Sequence, residues 1–281
     1  MKWQGRRGSR NIEDRRRSGA ASAGGIGGVG LILVLVIGYF LGIDVTPLLG
    51  GGGGIVSNGG GEITQADEQA GEFVSVTLAD TEEVWANIFR DQIGEEYTPT
   101  TLVLFKGATR SACGGASAAT GPFYCPPEQK IYLDTDFFTT LSRRMGAGGD
   151  FAAAYVVAHE VAHHVQDELG ILSQANQIRA QASTEQSNAI SVRIELQADC
   201  FSGIWARAAQ DRLGTLERGD IAEAMNAAAQ IGDDTLQRNA GQRVQPHTFT
   251  HGTSEQRQRW FARGYESGDL TQCDTFSATQ L

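Results

Sequence analysis

The sequence has no Cys-x-x-Cys pair, no Gly-Lys-Ser/Thr following a glycine run, and no basic excess beyond residue 25. The first absence argues against a zinc site built on cysteine thiolates. The second excludes a phosphate loop, although the run Gly50–Gly54 and the cluster Gly59–Gly61 supply the glycines. The third argues against nucleic-acid binding, because the body of the chain is acidic enough to bring the whole to −10. Only four cysteines occur, Cys113, Cys125, Cys200 and Cys273. They allow three pairings or four free thiols; the pairing preferred here is Cys113–Cys125 with Cys200–Cys273, in an exported compartment where disulfides persist.

What basic charge there is gathers at the start. Lys2, Arg6, Arg7, Arg10, Arg15, Arg16 and Arg17 stand against Glu13 and Asp14 within residues 1–25. From Ile26 to Ile43 follow eighteen residues without a charge, about the least that spans a hydrocarbon core as helix. A signal peptide is the competing reading, but glycine-rich sequence follows the run, with no evident small-x-small cleavage site. The pattern predicts a basic cytoplasmic N-terminus over 1–25, a transmembrane helix over 26–43 and a Gly-rich linker over 44–64. The body, 65–281, is then placed on the far side of a bacterial inner membrane, periplasmic or extracellular.

Within the body, Phe151, Tyr155, Ala158, Ala162, Val165 and Leu169 recur at helical spacing, and the helix they predict ends at Gly170. On its flank lies His159-Glu160-Val161-Ala162-His163. Two histidines four residues apart leave a helix on the same side and can grip one metal ion. Glu160 sits a step around the cylinder, close to the ion but badly placed to bind it, where a general base belongs. A pair of hydrogen-bonded histidines on a half-buried helix is the plain alternative.

A second helix is predicted through Ile190, Ile194, Phe201 and Trp205, and it carries Glu195 and Asp199 one turn apart. Acidic pairs at that spacing are usually solvated. Here a zinc site with two histidines needs a third protein ligand and an open fourth position, and Glu195 from a packed helix would supply the ligand. Asp199 can accept a hydrogen bond from the far nitrogen of a liganding histidine.

Smaller expectations complete the reading. A first helix runs over about 81–93, and strands form at Thr101–Phe105 and Lys130–Leu133. Residues Gln129–Leu133 are equally an ordinary strand or a free edge for an extended substrate. A short helix covers Asp136–Met145, the polar segment Gln174–Asn188 is a helical excursion or a flap, and a helix covers Asp220–Gln230. Thr253 or Ser254 caps a last helix bearing Trp260, Phe261 and Tyr265. His251 is a candidate donor to the oxyanion that peptide hydrolysis generates, with a structural role as its alternative and Arg257 a weaker candidate. His164 and His247 are taken as non-ligands.

HEVAHHVQ followed by ELQADC, behind an arginine-rich start and an apolar run, resembles a bacterial family of neutral zinc metallopeptidases whose members are single-pass membrane proteins. More broadly the pattern is similar to the gluzincin arrangement of thermolysin-like peptidases. The resemblance implies a helix-rich α+β, zincin-like domain with a small sheet, preceded by one transmembrane helix. It also implies zinc as cofactor, His159, His163 and Glu195 as ligands, Glu160 as base and a peptide or protein as substrate. It names no substrate, and the oligomeric state is open. Two other functions share the motif: a non-catalytic, zinc-stabilised envelope binding protein, and a zinc amidase acting on cell-wall peptides.

Overall fold

The computed structural model describes residues 1–17, 62–117 and 120–281. The expected membrane span at 26–43 and nearly all of the linker at 44–64 lie outside the described residues. Among the described residues no helix is long and apolar enough to cross a membrane.

The first long helix, α1 (Gln65–Ile88), starts well before the expected position and runs on into a wider turn over Phe89–Ile93. Its start is fixed by a capping box: Thr64 Oγ1 accepts from the Asp67 amide, and the Asp67 carboxylate accepts from the Thr64 amide. Helical periodicity is weak in this upstream half because Phe73, Val74, Val76, Thr77 and Leu78 are all buried. Thr77 and Thr81 remain compatible with the helix by donating their hydroxyls to the carbonyls of Phe73 and Leu78.

Strands β1 (Ile12–Asp14), β2 (Thr101–Phe105), β5 (Phe123–Cys125) and β6 (Lys130–Asp134) form one sheet in the order β1-β2-β6-β5. β1, β2 and β6 are parallel, while β5 is antiparallel to β6. The hairpin of β3 (Ala108–Ser111) and β4 (Gly114–Ser117) forms a separate two-stranded sheet. This arrangement corrects the candidate substrate edge. Gln129–Leu133 falls on β6, which is paired on both sides, and the outer position next to it belongs to β5.

The helices after the sheet follow the sequence closely: α2 (Asp136–Arg143), α3 (Asp150–Glu168), α4 (Ile171–Arg179), α5 (Thr184–Ala208), α6 (Asp220–Gln230), α7 (Asp233–Asn239) and α8 (Ser254–Ser267). Residues Gln174–Asn188 are the end of α4, a short turn and the start of α5, whose Ser183–Gln186 capping box sets its first turn. The segment is therefore the helical excursion, not a flap. Thr253, with Gln256, caps α8.

α3 is buried nearly all round, between the sheet on one side and α1, α5 and α6 on the others. Phe151 of α3 stacks on Trp205 of α5 at 5.6 Å, and Tyr155 meets Phe261 of α8 edge-on at 5.5 Å. α5 and α8 cross at backbone contact, and glycine makes this possible. A Cβ on Gly203 would stand 2.1 Å from Phe261 O, and one on Gly264 would stand 1.8 Å from Cys200 O. That close crossing brings Arg257 of α8 against Asp199 of α5. Cys200 also bonds Cys273, tying the C-terminal tail to α5, and Cys113–Cys125 ties the β3–β4 hairpin to the edge strand β5.

The start of the chain departs most from expectation. Residues 1–17, expected as a segment apart from a body beginning at 65, are packed against that body. Ile12, Glu13 and Asp14 pair with Leu102, Val103 and Leu104, and Trp3 meets Phe73 at 5.5 Å. The Met1 ammonium lies 2.6 Å from Asp150 and 3.4 Å from Asp220. Nearby, Glu223 accepts from the Phe151 amide at the start of α3.

Candidate metal centre

His159 and His163 leave α3 one turn apart, with ring centroids 4.8 Å from each other and planes nearly perpendicular. Glu195 of α5 reaches both. Its Oε2 is 3.0 Å from His159 Nε2 and its Oε1 is 3.5 Å from His163 Nε2. One donor atom from each of the three residues lies within 4.8 Å of the others. Two ligand atoms about 2.1 Å from a tetrahedral zinc ion are roughly 3.3 Å apart, so these separations match a set that could close on one ion. Asp150, Asp220 and Glu223 form a second acidic cluster among the described residues, with the Met1 ammonium 2.6 Å from Asp150 and 3.4 Å from Asp220.

The chemistry of the donors agrees with their spacing. His159 Nδ1 lies 2.9 Å from Asp199 Oδ1. With its proton directed there, the ring offers a lone pair at Nε2. In the metal-free protein, burial works against a charged His159 ring, but Asp199 and Glu195 outweigh it and push the ring up to about 9. Burial likewise opposes charge on Glu195, yet the two imidazoles hold that carboxyl well below its ordinary range. A group of anions that draws a proton onto a buried imidazole is equally suited to a divalent cation.

Asp199 is held from behind. The Tyr155 hydroxyl donates to Oδ1 at 2.5 Å, and Arg257 forks onto the carboxylate, Nε to Oδ2 at 2.8 Å and Nη2 to Oδ1 at 2.9 Å. Arg257 is thus anchored to Asp199 through Nε and Nη2, and it also lines the cavity.

The sequence reading missed Gln166, the last letter of HEVAHHVQ. Its amide nitrogen donates to Ile194 O at 2.8 Å and to Gln197 Oε1 at 3.0 Å. Both amide hydrogens are thus used, so Gln166 Oε1, 2.8 Å from His163 Nδ1, must accept from that ring. One side chain fixes the tautomer of His163 and fastens the metal helix to the residue preceding Glu195. The available signal was a glutamine three residues after the second histidine, on the same side of the helix. We expect Gln166→Leu to weaken zinc binding by roughly 10–100-fold, while Gln166→Glu keeps the acceptor for His163 and loses less. Competition with a chromophoric chelator checks this, and unchanged affinity in Gln166→Leu would refute the assignment.

Glu160 is buried beside the two imidazoles and makes no side-chain hydrogen bond among the described residues. Burial raises its pKa, against the pull of His163 and His159. His251 lines the same cavity. Asp233, also missed from sequence, orients it: Oδ2 accepts the amides of Thr250, His251 and Gly252 at 2.8, 2.7 and 3.0 Å, and Oδ1 lies 3.2 Å from His251 Nδ1. Burial disfavours charge on His251, but Asp233 outweighs it and raises the ring's pKa. His164 lies away from the donors, its Nδ1 3.0 Å from Tyr124 Oη and its Nε2 2.7 Å from Thr98 O; His247 is exposed.

The cavity in front of the three donors has a volume of about 400 Å³. Phe137, Met145, Val156, Ile231 and Leu236 make an apolar wall, and Phe123 and Tyr124 of β5 lie along its rim.

Two imidazoles and a carboxylate from packed helices could hold one metal ion, and His159 to His163 carry the HExxH spacing with the Glu160 carboxyl beside them. The chain belongs to the family described as "Putative neutral zinc metallopeptidase", which matches residues 1–276. It is 47% identical to YpfJ of Escherichia coli (strain K12), over 98% of this chain and 99% of that protein. It is also 46% identical to Rv2575 of Mycobacterium tuberculosis (strain H37Rv), over 66% of this chain and 65% of that protein. No solved structure matches.

Proposed function

We propose that the protein is a zinc-dependent peptidase of an exported compartment, attached to a membrane through the apolar run at 26–43. The observation that carries the reading is the convergence of His159, His163 and Glu195 on one point, with Glu160 unpartnered beside them. A purely structural zinc site has no use for that base and ordinarily closes its fourth position with another side chain. Two disulfides support export.

His159, His163 and Glu195 would hold the zinc, which when bound supplies Lewis acidity toward water and the scissile carbonyl. Glu160 takes the proton of the attacking water and returns it to the leaving nitrogen. His251, held by Asp233, donates to the oxygen on which negative charge develops. The free side of β5 pairs with the substrate backbone, which suits a peptide in extended form because main-chain bonds do not depend on its sequence. The apolar wall opposite receives a substrate side chain.

Cleavage of an unstructured peptide library by the full-length, detergent-solubilised protein tests the proposal. A chelator should abolish cleavage, and about one equivalent of zinc per chain should restore it. A chain that binds one zinc and cleaves no peptide would overturn the reading.

A further inference from the structure

The resemblance to single-pass membrane proteins sets residues 1–17 and the body on opposite sides of a bilayer. The contacts of residues 1–17 do not allow that. β1 is hydrogen-bonded to β2 at both ends, with Leu102 donating to Asn11 O at 2.8 Å and Arg15 donating to Leu104 O at 2.7 Å. Arg6 pairs at 2.8 Å with Asp80, whose carboxyl is buried. Glu13 pairs with Lys130 at 2.8 Å, and Glu82 accepts from Asn11 at 2.8 Å. Arg16 is only 7% exposed and bonds Asp14, Glu68 and the Asp67 carbonyl.

The two ends of the segment 18–61 also meet. Arg17 pairs with Glu68 at 2.7 Å, while Thr64 caps the same helix end through Asp67. Both flanks therefore sit on adjacent residues of α1. A chain that crosses a bilayer once ends about 30 Å from where it entered, on the other side. The sequence between 44 and 61 is too rich in glycine and too poor in apolar side chains to serve as a second crossing.

We propose that the arm Met1–Arg17 is a built-in part of the body and lies on the same side of the membrane as residues 62–281. That placement is incompatible with a cytoplasmic tail joined to an exported domain by a single crossing. The family match, which begins at residue 1, covers the arm as well as the metal centre. The inference rests on the membrane attachment proposed above and on the packing of residues 1–17, and it is independent of whether the metal centre hydrolyses peptides.

An introduced disulfide reads it directly. A Cβ built on Gly8 stands 3.4 Å from the Cβ of Ser75, close to the separation a disulfide requires, and the Ser9 amide donates to Ser75 O at 2.9 Å. The full-length chain carrying Gly8→Cys and Ser75→Cys is produced in its membrane, oxidised with diamide, blocked with N-ethylmaleimide and digested, and linked peptides are measured by mass spectrometry. The expected result is that most of the two introduced thiols are recovered linked to each other within one chain. Recovery of both as free, alkylated thiols in protein that keeps its zinc would overturn the proposal, as would a link between two chains.

The wild-type protein gives a second reading should the double variant misfold. Trypsin should cut after Arg6, Arg15 and Arg16 on the order of 100-fold more slowly than in the urea-unfolded chain's peptides, because those bonds open only with the sheet. Cutting at the unfolded rate, with the metal centre intact, would show a free tail and overturn the proposal.

Discussion

Glu160→Gln is expected to reduce peptide cleavage by roughly 10³-fold or more while leaving about one zinc per chain. The substitution is nearly isosteric, so the neighbouring packing of α3 is preserved. It removes only the ability to accept and return a proton. Glu160 is not among the three converging donors, and it makes no side-chain hydrogen bond among the described residues whose loss could disturb the fold. Its burial raises the carboxyl's pKa, and in the variant that desolvation cost disappears. Thermal stability should therefore be equal to the wild type's or slightly higher. Zinc content by elemental analysis, cleavage rate and melting temperature measured on one preparation check all three statements. Cleavage surviving in Glu160→Gln would assign the base elsewhere; loss of zinc would place Glu160 among the ligands.

The centre was legible because its parts are local. His159 and His163 are separated by one helical turn, and so are Glu195 and Asp199; each pair needed only its own helix to be read correctly. Bringing the pairs together needed α3 and α5 to pack, and Phe151, Tyr155, Phe201 and Trp205 marked the faces that do so. Asp233 was hidden because its role depends on the backbone amides of Thr250, His251 and Gly252, seventeen and more residues away. Arg257 was visible as a residue, but its partner was not, since the fork onto Asp199 depends on the backbone-level crossing at Gly203 and Gly264.

The sheet was legible only in its middle. β2 and β6 are apolar runs that announce themselves. β1 is Ile-Glu-Asp, flanked by arginines, and no strand propensity betrays it. It becomes a strand because the outer side of β2 supplies hydrogen bonds and because Asp80 and Glu68 of α1 pair with the flanking Arg6, Arg16 and Arg17. Read alone, the same arginines indicate the cytoplasmic flank of a membrane span. β5 has three residues, and its antiparallel pairing with β6 depends on the turn through Pro126–Glu128. That turn decided which strand faces the cavity.

The two carboxylates of α5 should answer to removal in opposite ways, which makes them the sharpest test of how the centre is built. Glu195→Ala takes away one of three donors, and zinc affinity should fall by on the order of 10³-fold or more, beyond the roughly 10–100-fold expected for partners behind the ligands. The fold should survive, since the core contribution of α5 comes from Leu196, Ala198, Cys200, Phe201 and Trp205, and the Glu195 side chain keeps 18% exposure at the cavity. Asp199 is different. Its side chain is fully buried, and it is the carboxylate on which the Arg257 guanidinium forks, itself 2% exposed. Asp199→Ala strands a buried cation and leaves the Tyr155 hydroxyl and His159 Nδ1 without their acceptor, at a cost of about 3–5 kcal/mol. Metal-free samples separate the two effects. Denaturant unfolding should find Glu195→Ala close to the wild type and Asp199→Ala strongly destabilised, whereas zinc titration should find the larger direct loss of affinity in Glu195→Ala. If Glu195→Ala retained zinc at wild-type affinity, the two imidazoles would have to find their third partner elsewhere, and the proposed centre would fail.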